Sequence, residues 1–197
     1  MSNEFMSPEQ ALGMVRANVM ACRACPLCET VTNKVFGSGT TAADVMLIGE
    51  APGANEDKTG EPFVGAAGKK LNDMLARAGI ERSRVYVANV LKCRPPKNRD
   101  PNDAEIAICS QHLMNQIRFV APRVILTLGA FATRRILNTQ QGIGAMRGRA
   151  WVIETLPNVV VIPTYHPAAC IYDPSKQQVI EHDLAYARQV MTGMGIA

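Results

Sequence analysis

Four short runs of aliphatic and β-branched residues, Val45–Ile48, Val85–Val90, Val124–Leu128 and Val159–Pro163, are apolar at nearly every position. A strand with one wet face alternates apolar and polar residues. A run without that alternation needs cover on both faces, as in a parallel sheet between helices. The intervals carry helical patterns. Leu71, Met74, Leu75 and Ala78 recur at helical spacing and stop at Gly79. Asp100-Pro101-Asn102-Asp103 opens a helix whose stripe is Ile106, Cys109, Leu113 and Ile117, ended before Pro122. Ala130–Leu137 and Ser175–Val190 supply two more, and Ser7-Pro8-Glu9-Gln10 starts one whose stripe is Leu12, Val15 and Val19. Strands alternating with helices predict a three-layer α/β/α architecture around a central four-stranded parallel sheet. With no repeat and no flexible linker, residues 1–197 read as a single domain.

Composition removes several classes. Hydrophobic residues make up 47% and charged ones 19%, which excludes a disordered chain. The apolar runs are far shorter than the roughly 20 residues of a membrane-spanning helix. Met1-Ser-Asn-Glu-Phe5 shows neither the basic nor the apolar region of an export signal, so the expectation is a cytoplasmic protein without a membrane partner. Lys+Arg 21 against Asp+Glu 17 leaves +4, too little to imply nucleic acid unless the charge clusters.

Open α/β sheets bind ligands beyond the carboxyl ends of their strands. Here those ends carry Gly49-Glu50-Ala51-Pro52-Gly53 with Glu56 and Asp57, then Asn89, then Gly129, then Thr164-Tyr165-His166-Pro167. Gly49, Pro52 and Gly53 make a tight turn, and the three carboxylates suit water or the edge of a base better than phosphate. Gly68-Lys69-Lys70 lacks the first Gly and the closing Ser or Thr of a phosphate-binding loop. Phe63, between Pro62 and Gly65, is either a core residue or a face on which a base stacks. Asn89 either caps a loop or reads a planar ligand with adjacent donor and acceptor groups. His166 is a candidate acid or donor, while His112 and His182 sit in helical patterns and read as solvated. Lys92, Arg94, Lys97 and Arg99, with Arg147 and Arg149, are either solvated charge or a groove for an anionic backbone.

Six cysteines are unusual in such a chain. Cys22, Cys25 and Cys28 form C-x2-C-x2-C, Cys93 follows the second apolar run and Cys109 lies on the next helix. Close spacing plus distant partners suggests a shared metal centre, with zinc and an iron–sulfur cluster both open and Cys28 neither in nor out. Cys170 reads as a small buried hydrophobe.

Gly49-Glu50-Ala51-Pro52-Gly53-x-x-Glu56-Asp57, Gly60-x-Pro62-Phe63-Val64-Gly65, Asn89-Val90-x-Lys92-Cys93-Arg94-Pro95-Pro96-x-Asn98-Arg99 and His166-Pro167 together resemble the family-4, iron–sulfur uracil-DNA glycosylases. The resemblance runs in order from about Cys22 to Pro167. It implies a monofunctional enzyme that hydrolyses the N-glycosidic bond of uracil in DNA, acting as a monomer on uracil-containing DNA in base excision repair. It also implies a [4Fe–4S] cluster on Cys22, Cys25, Cys93 and Cys109. Catalytic roles fall on Glu50, Glu56 (or its neighbour Asp57) and His166. The base-binding surface is Gly49, Glu50, Ala51, Phe63, Asn89 and His166. In that scheme Phe63 stacks on the flipped uracil, Asn89 reads its edge, and His166 donates to O2 as negative charge develops.

Two positions depart from the family pattern. Glu61 stands where arginine is usual, and Ala168-Ala169 replace a pair that commonly ends in tyrosine. Pro96–Asp100 carries no histidine, which predicts turnover rather than covalent trapping on DNA. The alternatives are a non-catalytic four-cysteine zinc or cluster module that binds nucleic acid, and a glycosylase of the same fold for another deaminated base such as hypoxanthine.

Overall fold

The structure, a computed structural model, describes residues 6–196. The expectation drawn from Met1–Phe5 lies outside them. In chain order the elements are α1 (Pro8–Ala21), β1 (Ser38–Gly39), β2 (Val45–Gly49), α2 (Ala54–Thr59), α3 (Ala66–Arg77), β3 (Val85–Asn89) and α4 (Asp103–Val120). They continue with β4 (Val124–Leu128), α5 (Ala130–Leu137), α6 (Ile143–Met146), β5 (Trp151–Ile153), β6 (Leu156–Thr164), α7 (Ala169–Tyr172) and α8 (Ser175–Gly193).

Among the described residues the sheet has six strands, ordered β1-β3-β2-β4-β6-β5, rather than the four expected. The four apolar runs form its parallel centre, β3-β2-β4-β6. The two additional strands pair antiparallel at the edges, β1 on β3 and β5 on β6. Neither has a readable pattern: β1 is two residues long, and β5 is a three-residue arm whose Val152 is 64% exposed.

Both faces of the central strands are buried, which explains their unbroken apolar runs. Met46, Ile48, Ala88 and Ile125 face one way, against Leu12, Val15 and Val19 of α1, Leu113 and Ile117 of α4, and Ile136 of α5. Val45, Leu47, Val87 and Leu126 face the other, against Leu71, Met74 and Leu75 of α3 and Leu184 and Ala187 of α8. Cys170 packs into this second layer, as its reading as a small hydrophobe required.

Helix starts follow their capping residues. Ser7 and Gln10 exchange side-chain-to-backbone hydrogen bonds at the head of α1, with Pro8 in the first turn. Asn102 and Glu105 do the same for α4, and the Glu105 carboxylate also takes a bidentate pair from Arg99, at 3.0 and 2.6 Å. Asn102→Ala is expected to destabilise the fold by about 1 kcal/mol, read by urea unfolding. An unchanged midpoint would mean that α4 does not depend on this cap.

Candidate active site

Parallel pairing sets Gly49 beside Asn89 at the carboxyl ends of β2 and β3. A cleft of about 540 Å³ opens beyond this edge, within the range of small-ligand sites. Its walls include Glu50, Ala51, Glu56, Phe63, Asn89 and His166. Gly49 lies behind the wall. A Cβ there would sit 2.4 Å from Asn89 Oδ1 and 2.6 Å from Phe63 Cζ, so only glycine lets the amide and the ring approach each other. Phe63 itself has φ +57°, a left-handed conformation costly for a bulky residue. The turn closes because Gly68 has no side chain: a Cβ there would meet the Phe63 carbonyl oxygen at 1.7 Å. The outcome is a ring at the cleft whose centroid is 5.9 Å from that of His166, the two planes 31° apart.

Asn89 is 3% exposed, and its Oδ1 is the one buried side-chain polar atom without a hydrogen-bond partner among the described residues. Such an orphan is costly unless a ligand donor meets it. His166 Nδ1 accepts from the Ala168 N–H at 3.2 Å, so in the neutral ring the proton lies on Nε2. Burial pushes the imidazole down to about 4, against an opposing pull from the Glu56 carboxylate. At neutral pH His166 is therefore an uncharged N–H donor.

The carboxylates separate by environment. Glu56 Oε1 accepts from the Gly65 N–H at 2.7 Å, which fixes it on the cleft wall. Its neighbour Asp57 is 6% exposed and turns away, accepting from the Thr32 and Asn33 N–H groups at 2.9 and 3.3 Å. Asp57 anchors a loop and does not line the cleft. Glu50 does line it, and burial, with help from Asp100, pushes its carboxyl up to about 7.

The basic runs need correction. Lys92 is 1% exposed and points inward, so it belongs to no groove for an anionic backbone. Arg147 forms a bidentate ion pair with buried Asp183, which also accepts from Thr164 Oγ1 at 2.7 Å. Arg99 is held by Glu105 at the rim. Lys97, Arg149 and, in part, Arg94 remain solvent-facing. Ile171 and Tyr172, 49% and 88% exposed, also stand at the rim, although no periodic pattern marks them in the sequence.

A second, much smaller cavity of about 20 Å³ is lined by Cys22, Cys25, Cys28, Cys93 and Cys109 with Leu27 and Leu91. Burial first, then the charges of Cys109, Cys25 and Cys22, push the Cys93 thiol up to about 12. Cys109 is raised by burial and feels Cys25 and Cys22 as well. Cys28 lines the cavity without figuring among those neighbours. Lys34 and Lys92 lower Cys93 and Cys109 respectively, so the donor set is soft sulfur with two cations beside it. Among the described residues, no three His, Cys, Asp or Glu side chains are grouped as one metal ion would need them. His112, expected to be solvated, borders this cavity instead, and burial lowers its pKa; His182 is exposed.

A parallel α/β fold with an apolar ring, an orphaned amide and a neutral imidazole at its carboxyl edge has the chemistry to match a flat polar ligand. The sequence model described as the uracil DNA glycosylase superfamily matches residues 36–188. The chain is 44% identical over 179 residues to the type-4 uracil-DNA glycosylase of Archaeoglobus fulgidus, covering 88% of this chain and 90% of that one. The corresponding enzyme of Sulfurisphaera tokodaii is 42% identical, with 91% and 84% covered, and that of Thermotoga maritima 38%, with 95% and 98% covered. The chain belongs to the uracil-DNA glycosylase superfamily, in its type-4 branch.

The two perturbed groups give opposite pH signatures. Glu50 ionises near 4.5 when unfolded and about 7 when folded, so its contribution to stability is present below 4.5 and lost as pH rises through about 7. His166 ionises near 6.5 when unfolded and about 4 when folded, so its contribution is present above 6.5 and lost as pH falls through about 4. Urea unfolding across this range should show the upper slope flattened by Glu50→Gln and the acid slope flattened by His166→Gln. A slope that survives its substitution would show that the group is not buried as described.

Proposed function

We propose that the protein excises uracil from DNA as a monofunctional glycosylase, hydrolysing the N-glycosidic bond of a nucleotide turned out of the strand into the cleft. The observation that carries this reading is the orphaned Asn89 Oδ1, on a residue that lines the same cleft as Phe63 and the neutral His166. Uracil is flat and offers an N–H flanked by two carbonyl oxygens. Phe63 supplies a stacking face worth about 1–3 kcal/mol. Asn89 Oδ1 accepts the uracil N3–H and its amide nitrogen donates to O4. Cytosine presents an acceptor and a donor at the same two places and leaves the amide mispaired. His166 Nε2–H donates to O2, where negative charge gathers as the bond to C1′ lengthens.

Glu56, oriented by the Gly65 N–H, faces the positive sugar and holds the attacking water. Water gives its hydroxyl to C1′ and its proton to the leaving base, so the products are uracil and an abasic site. Glu50 and Ala51 form the wall against the base, and Gly49 gives Phe63 and Asn89 their room. No lysine has a catalytic role, in keeping with hydrolysis alone.

Cys22, Cys25, Cys93 and Cys109 are proposed to hold a [4Fe–4S] cluster. All four line one cavity, and Cys93 and Cys109 both feel Cys25 and Cys22 but not Cys28, which supports that choice. Bound there, the cluster cross-links the N-terminal segment to the segment following β3, making one structural domain, and takes no part in bond cleavage. The partner is uracil-containing DNA, met by a monomeric, intracellular enzyme, with Asn98, Arg99 and the Ile171-Tyr172 pair at the rim.

Three experiments test these proposals. Oligonucleotides carrying uracil, hypoxanthine, xanthine or a thymine mispair should be cleaved by alkali after incubation only where the base was removed. Uracil alone is the expected substrate. Binding without cleavage would favour the non-catalytic module, and removal of hypoxanthine in place of uracil the other-base enzyme. His166→Ala should raise the excision barrier by about 2.7–4 kcal/mol, and an unchanged rate removes it from the mechanism. The purified protein should be brown and yield iron and labile sulfide, whereas a colourless protein holding zinc would refute the cluster.

A further inference from the structure

Resting on the uracil reading above, we propose that Lys92 is a positioning residue for Asn89. Its buried ammonium holds the strand-end carbonyl that sets where the base-reading amide points. Lys92 Nζ donates to the Asn89 carbonyl oxygen at 2.7 Å and to Gln116 Oε1 of α4 at 2.5 Å. Gln116 is 0% exposed and donates in turn to the Phe36 carbonyl at 2.8 Å and the Tyr86 hydroxyl at 3.1 Å. The backbone N–H of Lys92 donates to Cys109 Sγ at 3.3 Å. One residue thus joins the reading amide, the middle of α4 and the cysteine cavity.

The chemistry argues against a filler role. A buried ammonium must recover a large desolvation cost, and an apolar side chain of similar length would fill the same volume more cheaply. What the ammonium adds is two directed bonds. The Asn89 carbonyl and side chain branch from the same Cα, so restraining the peptide plane restrains the amide. The Asn89 Oδ1 has no partner of its own to hold it in place.

A double-mutant cycle tests this, with wild type, Lys92→Met, Asn89→Ala and the double variant compared on a uracil oligonucleotide. Binding of the same oligonucleotide with an abasic site is measured in parallel. Lys92→Met is expected to lower kcat by up to about 100-fold, the scale set by a displacement of the order of an ångström. KM, abasic-site affinity and iron content should stay within about twofold, and Lys92→Met should add little in the Asn89→Ala background. A structural role would instead add to the Asn89→Ala loss and weaken abasic-site binding too. Gln116→Leu, which removes the second anchor of the ammonium, should give a smaller kcat loss with the same non-additivity. It decides the matter if Lys92→Met does not fold. Additive losses, or an unchanged kcat, overturn the proposal while leaving uracil excision intact. A wild type that does not remove uracil overturns the underlying reading, and the proposal with it.

Discussion

The parallel register at the carboxyl edge of the sheet is the constraint on which the site depends. Gly49 pairs with Asn89 and Leu128 with Thr164, so four strands end at nearly one level. Every crossover helix must return the chain to the opposite edge, which leaves the outgoing loops together. That placement brings Glu50, Asn89 and His166 to one cleft from positions far apart in the chain. Had β3 been shifted by one residue, the Asn89 amide would face the other layer and Gly49 would have no partner to accommodate.

The polar interior is small, and three of its carboxylates are tied to places where the chain turns. Asp57 ties the head of α2 to the loop at Thr32 and Asn33, Glu105 and Arg99 tie the head of α4, and Asp183 ties Thr164 to Arg147. These bonds fix loops that hydrophobic packing alone would leave adjustable. Asn89 Oδ1 is different, an interior acceptor without a partner on a residue that lines the cleft.

Legibility in the sequence followed from how each feature is stabilised. The central strands were readable because burial on both faces removes the polar phase, and α1 and α4 because their capping residues lie at fixed offsets. The edge strands were not, since β1 and β5 are made by pairing with a neighbour and carry no pattern of their own. The choice between Glu56 and Asp57 was also hidden. Adjacent residues on a helix point roughly 100° apart, so one faces the cleft and the other a loop, and which is which depends on the helix's orientation. Lys92 and Arg147 misled for a related reason: a sequence displays a charge but not the carbonyl or carboxylate folded against it. Lys92 stands next to a cysteine at the end of a buried strand, and that position was the available hint.

The ion pair of Arg147 and Asp183 constrains how this chain can diverge. Asp183 is 1% exposed and Arg147 only 23%, and the Gly148 position has no space for a side chain beside the carboxylate. Loss of either charged partner strands the other in the interior, at a cost of about 3–5 kcal/mol, a large part of a domain's stability. Replacement of both by apolar residues is far cheaper, yet it lies beyond a step that selection would remove. Over generations the pair is therefore expected to persist or vanish together, holding α8 against the end of β6.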